Sequence, residues 1–237
     1  MLSRYQFQPR FVTTLAAAAV LAVTLAAAWW QLGRAHEKEE LAARLQALDN
    51  DPPIRITSAA VQARDVEWRR VTARGRFDPG RAVLIDNRTH RGVAGYHVMM
   101  PLALDGGDRY VLVNRGWVAG TRERSRLPEV TTPAGTVEIM GRAVTPSARF
   151  LELAPGTSKG KVWQNLTLER YRQAVPVPLQ PFVILQESPL DDELAREWTP
   201  PDLGVGKHYG YAFQWFALAV TALVFYLATH VKRRPQA

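Results

Sequence analysis

The chain has 237 residues and a formal net charge of +8, contains no cysteine, and is 47% hydrophobic. This length suits one sizeable domain with extensions rather than two independent cores. The absence of cysteine excludes disulfides, thiol nucleophiles and cysteine-ligated metal sites. Nucleic-acid binding is also disfavoured, because the charge splits as +2 and +3 at the two ends and only +3 over the long central part.

Two uncharged apolar runs lie near the ends of the chain, at residues 11–30 and 209–229. An α-helix rises about 1.5 Å per residue, so roughly twenty residues cross a hydrocarbon core of about 30 Å. The sequence therefore predicts transmembrane helices over residues 11–32 and 209–229. The first run, with three alanines at residues 26–28, also resembles a signal peptide with a cleavage site. Its length and its terminal pair of tryptophans favour a retained helix instead.

Charges beside the apolar runs predict how the chain lies in the lipid bilayer. The first ten residues carry two arginines and no acid, and the last eight carry one lysine, two arginines and no acid. Short flanks rich in Lys and Arg remain in the cytoplasm. We therefore predict cytoplasmic segments at residues 1–10 and 230–237, with residues 33–208 forming a periplasmic domain. Ten residues leave no room for a mitochondrial presequence, which favours a bacterial cytoplasmic (inner) membrane.

Leucines continue a helical pattern beyond the first apolar run. Leu41, Leu45 and Leu48 follow one another at intervals of four and three residues, with charged residues on the rest of the surface. We expect the first span to continue as an amphipathic helix that ends near Asp51. The reason is that Pro52 follows, and a residue before a proline avoids the α region.

The central part of the chain has the period-two pattern of strands. Within residues 69–77, for example, apolar residues and glycine alternate with arginine and threonine. Comparable runs predict further strands over residues 82–86, 96–104, 110–118, 136–144 and 182–186. A polar loop is expected between the second and third of these six strands, at residues 87–92, and a short helix with Thr167 as its N-cap. Together these elements predict two terminal transmembrane helices flanking one mainly antiparallel β domain, a sandwich or a barrel-like fold, with short helices.

Several stretches resemble the Surfeit locus family of cytochrome c oxidase assembly proteins, in the family's order and over nearly the whole chain. They are residues 30–32 (WQL), 75–77 (GRF), 95–98 (GYHV), 111–117 (VLVNRGW), 163–166 (WQNL) and 207–212 (KHYGYA). The resemblance implies a non-enzymatic assembly factor for haem–copper oxidase. It further implies that the protein binds haem A transiently for insertion into the oxidase's catalytic subunit, with haem A synthase as a second expected partner.

His208 is the candidate for chemistry in that role. A neutral imidazole is a good axial ligand of haem iron, and at this position an amphipathic haem would meet both water and lipid. Lys207 would pair with a haem propionate. The helical face of His208 also carries Tyr211, Ala212, Trp215 and Ala219. These residues would form an aromatic wall beside a groove of small residues. Without the implied haem-binding histidine at this position, the same residues would make an ordinary interfacial aromatic belt.

Polar residues in the predicted strands have structural explanations. His97 shares a strand face with Met99, whereas Met100 points the other way, so we interpret the three as core residues rather than a copper(I) site. Arg115 lies on the apolar face of its strand. We therefore expect it to be at least partly buried and to form a structural ion pair.

Two other classes of function remain open. In one, the domain is a scaffold that clamps the oxidase subunit to haem A synthase and never binds iron. In the other, the chain is a membrane-anchored hydrolase. The hydrolase hypothesis is disfavoured because Asp86 and His90 lack a serine-centred constellation.

Overall fold

The structure of the chain, a computed structural model, describes residues 5–121, 123, 126–146, 160–198 and 203–233. It divides into two compact units. The helical unit comprises Met1–Arg44 and Pro200–Ala237, and the β domain comprises Leu45–Thr199. Arg4 and Arg234, which contribute to the charge argument above, lie outside the described residues.

Long helices make up most of the helical unit, and strands most of the β domain. The elements are β1 (Tyr5–Phe7), α1 (Phe11–Ala47), β2 (Ile54–Ile56), α2 (Ala63–Val66), β3 (Arg70–Phe77), β4 (Val83–His90), β5 (Val93–Leu104), β6 (Tyr110–Ala119), β7 (Thr136–Val144), β8 (Val162–Trp163), α3 (Leu168–Ala174), β9 (Leu179–Gln186), α4 (Val205–His230) and β10 (Val231–Arg233). Short 3-10 helices add Leu48–Asn50 and Pro79–Arg81.

The helices α1 and α4 are both long and apolar enough to cross a membrane, as the apolar runs predict. They lie antiparallel, because the side chain of Thr14 contacts that of Tyr226 at 2.7 Å near one end, and Gln31 contacts His208 near the other. Partly or fully buried positions recur at intervals of three and four residues along both helices, the spacing of side chains along a helix-packing seam. The seam residues are Thr14, Ala17, Leu21, Thr24, Ala28, Gln31 and Ala35 of α1, and His208, Ala212, Trp215, Ala219, Ala222 and Tyr226 of α4.

A two-stranded sheet joins the ends of the helical unit. β1 pairs antiparallel with β10, with Phe7 opposite Val231. Beside the sheet, His230 is only 6% exposed, and its Nε2 lies 2.7 Å from Oγ1 of Thr13. The backbone N–H of Gln8 also donates to the carbonyl of His230. These contacts connect the start of α1 to the end of α4.

The β domain is built around a closed barrel. β3, β7, β9, β6 and β5 are hydrogen-bonded in this order, and β3 pairs with β5 to complete the circle. β2 extends the sheet beside β3, and β4 followed by β8 extends it beside β5. Most pairs are antiparallel, whereas β2–β3, β4–β8 and β6–β9 are parallel. Of the two predicted forms, the structure therefore has the barrel.

Two hydrophobic clusters stabilise this domain. One contains fully buried side chains from the barrel strands, among them Val71, Leu102, Val111 and Phe182. The other includes Tyr171 of α3, whose hydroxyl donates to the carbonyl of Arg81. These strands are buried on both faces, so the alternation of apolar and polar residues does not by itself account for their sequences.

Local differences from the predicted elements follow from backbone geometry. The expected polar loop at residues 87–92 is shorter, because β4 continues to His90 after a bulge and only Arg91 and Gly92 form the turn. β9 begins at Leu179 rather than three residues later, since buried Gln180 donates its side-chain amide to two backbone carbonyls. The predicted cap of α3 is confirmed, as the hydroxyl of Thr167 accepts from the N–H of Arg170.

Candidate functional site

His208 lies at the beginning of α4, on the side that packs against α1. Its Nδ1 is 2.8 Å from Oε1 of Gln31. An amide oxygen can only accept a hydrogen bond, so Nδ1 carries the proton and donates it. Nε2 is then the ring nitrogen that holds a lone pair. The imidazole is partly buried, and Nε2 is its nitrogen with the electronic character of a metal ligand.

A second side-chain contact holds the two helices together beside this histidine. The hydroxyl of Tyr209 donates to Oε1 of Glu39 at 2.9 Å. Gln31 and Glu39 lie eight residues apart on α1, a little over two turns, while their partners on α4 are adjacent. The two hydrogen bonds therefore restrain the register between the helices where the histidine is presented.

The other predicted site residues have different degrees of exposure along α4. Lys207 is exposed in the first turn, and its backbone N–H donates to the carbonyl of Gly204. Tyr211 is 53% exposed. Trp215 is partly buried, about 10 Å further along the helix axis than His208. His208 and Trp215 thus belong to the packing seam, whereas Tyr211 lies outside it.

The expected groove of small residues is not open in the structure. Ala212 and Ala219 are 5% and 3% exposed, and both lie on the seam that α4 forms with α1. Small side chains permit close approach of two helices, so the alanines serve helix packing. A planar ligand on this helix would therefore contact the exposed and half-exposed aromatic side chains rather than an alanine groove.

The donor set at His208 suits a metal already held by a macrocycle. Haem iron takes its axial ligand from a single side chain, and a neutral imidazole is the commonest choice. Among the residues that the structure describes, no group of three or more His, Cys, Asp or Glu side chains is arranged to hold a metal ion. Lys207 and the N-terminal end of α4 supply positive charge near His208, as a propionate requires. The residues present therefore fit a haem.

Sequence reasoning missed Gln31 as a site residue, although it lies in the first of the stretches that carry the family resemblance. Gln31 and His208 are separated by 177 residues, so no local pattern links them. The available signal was indirect: a polar side chain follows an apolar run at the position where the helix leaves it. Such a residue needs a hydrogen-bond partner when it is partly buried.

His97 in the β domain is a partly buried base packed beside the core. Burial, together with smaller effects of the charges on Arg88 and His90, lowers its pKa to about 4. Its ring meets that of Trp198 edge to face at 5.6 Å. Met99 and Met100 are each 2% exposed and belong to the two different hydrophobic clusters. This arrangement agrees with the predicted core packing.

Acid is expected to destabilise the β domain through His97. Its folded-state pKa of about 4 lies below the ordinary 6.5, so the unfolded chain takes up the proton first. Stability present above pH 6.5 is therefore lost as the pH falls towards 4, by up to about 3 kcal/mol. Chemical denaturation of the protein at several pH values measures this loss. His97→Gln, which does not titrate, should show a smaller acid loss, and equal losses in both proteins would contradict the prediction.

The predicted ion pair of Arg115 is confirmed in full. Both Arg115 and Asp192 have no exposed side-chain surface, and Nη2 lies 2.7 Å from Oδ2. The guanidinium also donates to the hydroxyl of Thr132 and to the carbonyl of Thr131. Burial lowers the pKa of Arg115, and the hydrogen bond that its guanidinium donates to Asp192 opposes that shift. Arg115 is therefore a structural residue of the domain core, and it is not available to a ligand.

Two further stretches of the resemblance meet at a polar cavity in the β domain. The cavity has a volume of about 530 Å³. Gly95 and Tyr96 come from β5, and Gln164 and Asn165 follow β8 directly. The bulge in β4 contributes the remaining polar wall, since it turns residues out of the regular ladder. The lining is suited to hydrogen bonds with a partner rather than to burial of an apolar ligand.

Comparison with known proteins gives a consistent result over most of the chain. The family model described as "SURF1 family" matches residues 18–220. A SURF1-like protein of Rickettsia felis is 28% identical over 222 residues, which cover 91% of this chain and 95% of that protein. One from Rickettsia conorii is 25% identical over 86% of this chain and 85% of its own length. An uncharacterised SURF1-like protein of Mycobacterium tuberculosis is 33% identical over 48% of this chain and 43% of its own.

Proposed function

The chain belongs to the SURF1 family, which is a family of oxidase assembly factors and not a known enzyme family, and from this premise we propose how it acts. The protein binds haem A through His208 at the periplasmic surface of the cytoplasmic membrane. It then assists insertion of the haem into the catalytic subunit of haem–copper cytochrome c oxidase. The activity is binding and hand-over, so the protein itself makes and breaks no covalent bond.

The observation that carries this proposal is the hydrogen bond of His208. With Nδ1–H engaged by Gln31 at 2.8 Å, the lone pair belongs to Nε2, the nitrogen that most readily reaches a ligand beyond the ring. A neutral imidazole of this tautomer supplies an axial ligand without first having to lose a proton. The bound haem A would in turn supply the iron and an amphipathic ring that favours the boundary between lipid and water.

Charge and aromatic surface around His208 support the same ligand. Haem propionates are anionic, and Lys207 adds a cation to the positive end of the α4 dipole. Tyr211 and Trp215 are aromatic side chains on the same helix, and stacking on them would add about 1 kcal/mol beyond area burial. These residues would bind and orient the macrocycle, and His208 alone would contact the iron.

Haem co-purification tests the proposal directly. The full chain is produced in cells that make haem A, purified in detergent, and examined by absorption spectroscopy. We expect a Soret band and a haem-to-protein ratio near one. Protein without haem, under conditions in which the oxidase still acquires its cofactor, would exclude direct binding.

The proposed location is a bacterial cytoplasmic membrane, with haem A synthase and the oxidase catalytic subunit as partners. Two apolar helices support membrane association, and the basic flanks favour cytoplasmic termini.

Reporter fusions test this orientation, and we expect a fusion after Gly120 to be active only with a reporter that works in the periplasm. A fusion after Ala237 should be active only with a cytoplasmic reporter. Cytoplasmic activity at Gly120 would overturn the orientation and, with it, haem binding on the outer side.

A scaffold that does not bind haem is the second candidate function. The polar cavity at Tyr96 and Gln164 favours it, because two stretches that resemble the family meet there without a role in haem binding. On this alternative the β domain holds the oxidase subunit and haem A synthase together. The two candidates differ in the spectrum of the purified protein, since only the haem-binding form absorbs in the Soret region.

A further inference from the structure

Gln31 is a polar residue in an otherwise small and apolar part of the helix seam. Its neighbours along that face of α1, Ala28 and Ala35, are 6% and 0% exposed. A partly buried amide without a hydrogen-bond partner costs free energy in such a place, whereas an alanine or leucine would not. The contact between Oε1 and the ring of His208 compensates that cost. The same contact makes the tautomer and the ring orientation of His208 depend on the side chain of Gln31.

We propose that Gln31 is the positioning residue of the haem site: its side-chain oxygen holds His208 in the Nδ1–H tautomer and fixes the ring so that Nε2 can ligate iron. This inference rests on the proposed function. Gln31 acts only through His208 and does not itself contact the metal.

The chemical reason is the choice between two neutral tautomers. Neutral histidine in water favours the proton on Nε2, and in that form Nε2 has no lone pair for a metal. A hydrogen-bond acceptor at Nδ1 reverses the preference, because only the Nδ1–H form can donate to it. The oxygen of Gln31 is such an acceptor at 2.8 Å. Histidine ligands in metal sites are commonly oriented in this way by a carbonyl or carboxylate.

The geometric reason is that the ligand and its positioning residue lie on different helices. The contact between Tyr209 and Glu39 restrains the same pair of helices beside it, so the acceptor stays opposite Nδ1. The ring orientation therefore exists before haem arrives, and less freedom is lost on binding. The inference also gives α1 a role in the site in addition to anchoring.

The test compares Gln31→Leu with Gln31→Glu in the full chain. Leucine fills the space without accepting a hydrogen bond, whereas glutamate keeps an acceptor oxygen. We expect Gln31→Leu to weaken haem A retention about 10- to 100-fold, the usual effect of losing such a partner. Gln31→Glu should retain haem and lower its reduction potential, because a stronger acceptor makes the imidazole more basic. Gln214→Ala, which changes an exposed glutamine of α4, is the matched control and should leave retention unchanged.

A second measurement does not depend on haem. Nitrogen-15 spectra of the haem-free protein, assigned to His208 with the His208→Ala variant, should show the proton on Nδ1 in the wild type. In Gln31→Leu it should move to Nε2. An unchanged tautomer or unchanged haem retention in Gln31→Leu would overturn the positioning role. If instead His208→Ala keeps its haem, the proposed function fails, while the tautomer spectra still decide whether Gln31 controls His208.

Discussion

His208→Ala is expected to abolish retention of haem A while protein level and membrane insertion remain normal. The variant removes the imidazole whose Nε2 the hydrogen bond from Nδ1 to Gln31 makes available. Alanine has high helix propensity, so α4 should still form and pack. The measurement is the Soret absorbance of the purified protein, normalised to protein content and compared with wild type. We expect the absorbance to fall to the background of unspecific binding.

Matched variants separate ligation from general damage. His90→Ala and His97→Ala change histidines of the β domain and should leave the haem spectrum unchanged. Trp215→Ala should weaken retention roughly fivefold, since stacking contributes only about 1 kcal/mol. Lys207→Ala should have a small effect that grows at low salt, as expected for an exposed charge pair. Full haem content and a normal spectrum in His208→Ala would falsify the ligand assignment, and the scaffold function would then be favoured.

Asp192→Ala is expected to unfold the β domain or to leave it barely stable. The variant deletes the carboxylate that faces Arg115, and neither side chain has exposed surface. Removing one partner of a buried pair leaves an uncompensated charge and costs about 3–5 kcal/mol. A domain of ordinary stability has only about 5–15 kcal/mol in total. Asp192 also accepts from Arg196, so a second guanidinium loses its partner.

Denaturation of the full chain, followed by tryptophan fluorescence, measures the loss for Asp192→Ala. Asp191→Ala is the control, because it changes the neighbouring carboxylate, which is exposed, and should alter stability by less than about 0.5 kcal/mol. Equal denaturation midpoints for Asp192→Ala and wild type would show that the ion pair does not stabilise the domain. Substitution of the polar side chains that line the cavity should not lower the stability of the domain in this way, because those side chains are already accessible to water.

The ion pair between Arg115 and Asp192 shows what the local sequence pattern can predict and what it cannot. Alternation along one strand predicts burial of the guanidinium, and a buried charge requires a partner of opposite sign. Identification of that partner is not local, because 77 residues separate Arg115 from Asp192. Asp192 lies in an irregular segment beyond β9, where no periodicity assigns a direction to a side chain. The burial could be predicted and the pairing could not.

The proposed haem site shows the same difference between local and tertiary information. The position of His208 at the start of an apolar helix follows from hydropathy, and its proposed role follows from residue chemistry together with the family resemblance. The closed alanine seam and the contact with Gln31 do not, because both depend on how α1 faces α4. A shift of one residue along either helix would rotate a side chain by about 100° and separate the two. The register of the helices therefore decides which nitrogen of His208 carries the proton.

By itself the sequence determined the two apolar helices, the period-two strands between them and the Thr167 cap, since each depends on residues within about four positions of one another. The relation to the SURF1 family also required only the order of short stretches. Tertiary structure alone decided that the sheet closes through β3 and β5, that Asp192 neutralises Arg115, and that Gln31 orients His208. These contacts join residues far apart in the chain, and their free energy depends on topology and register rather than on local preference.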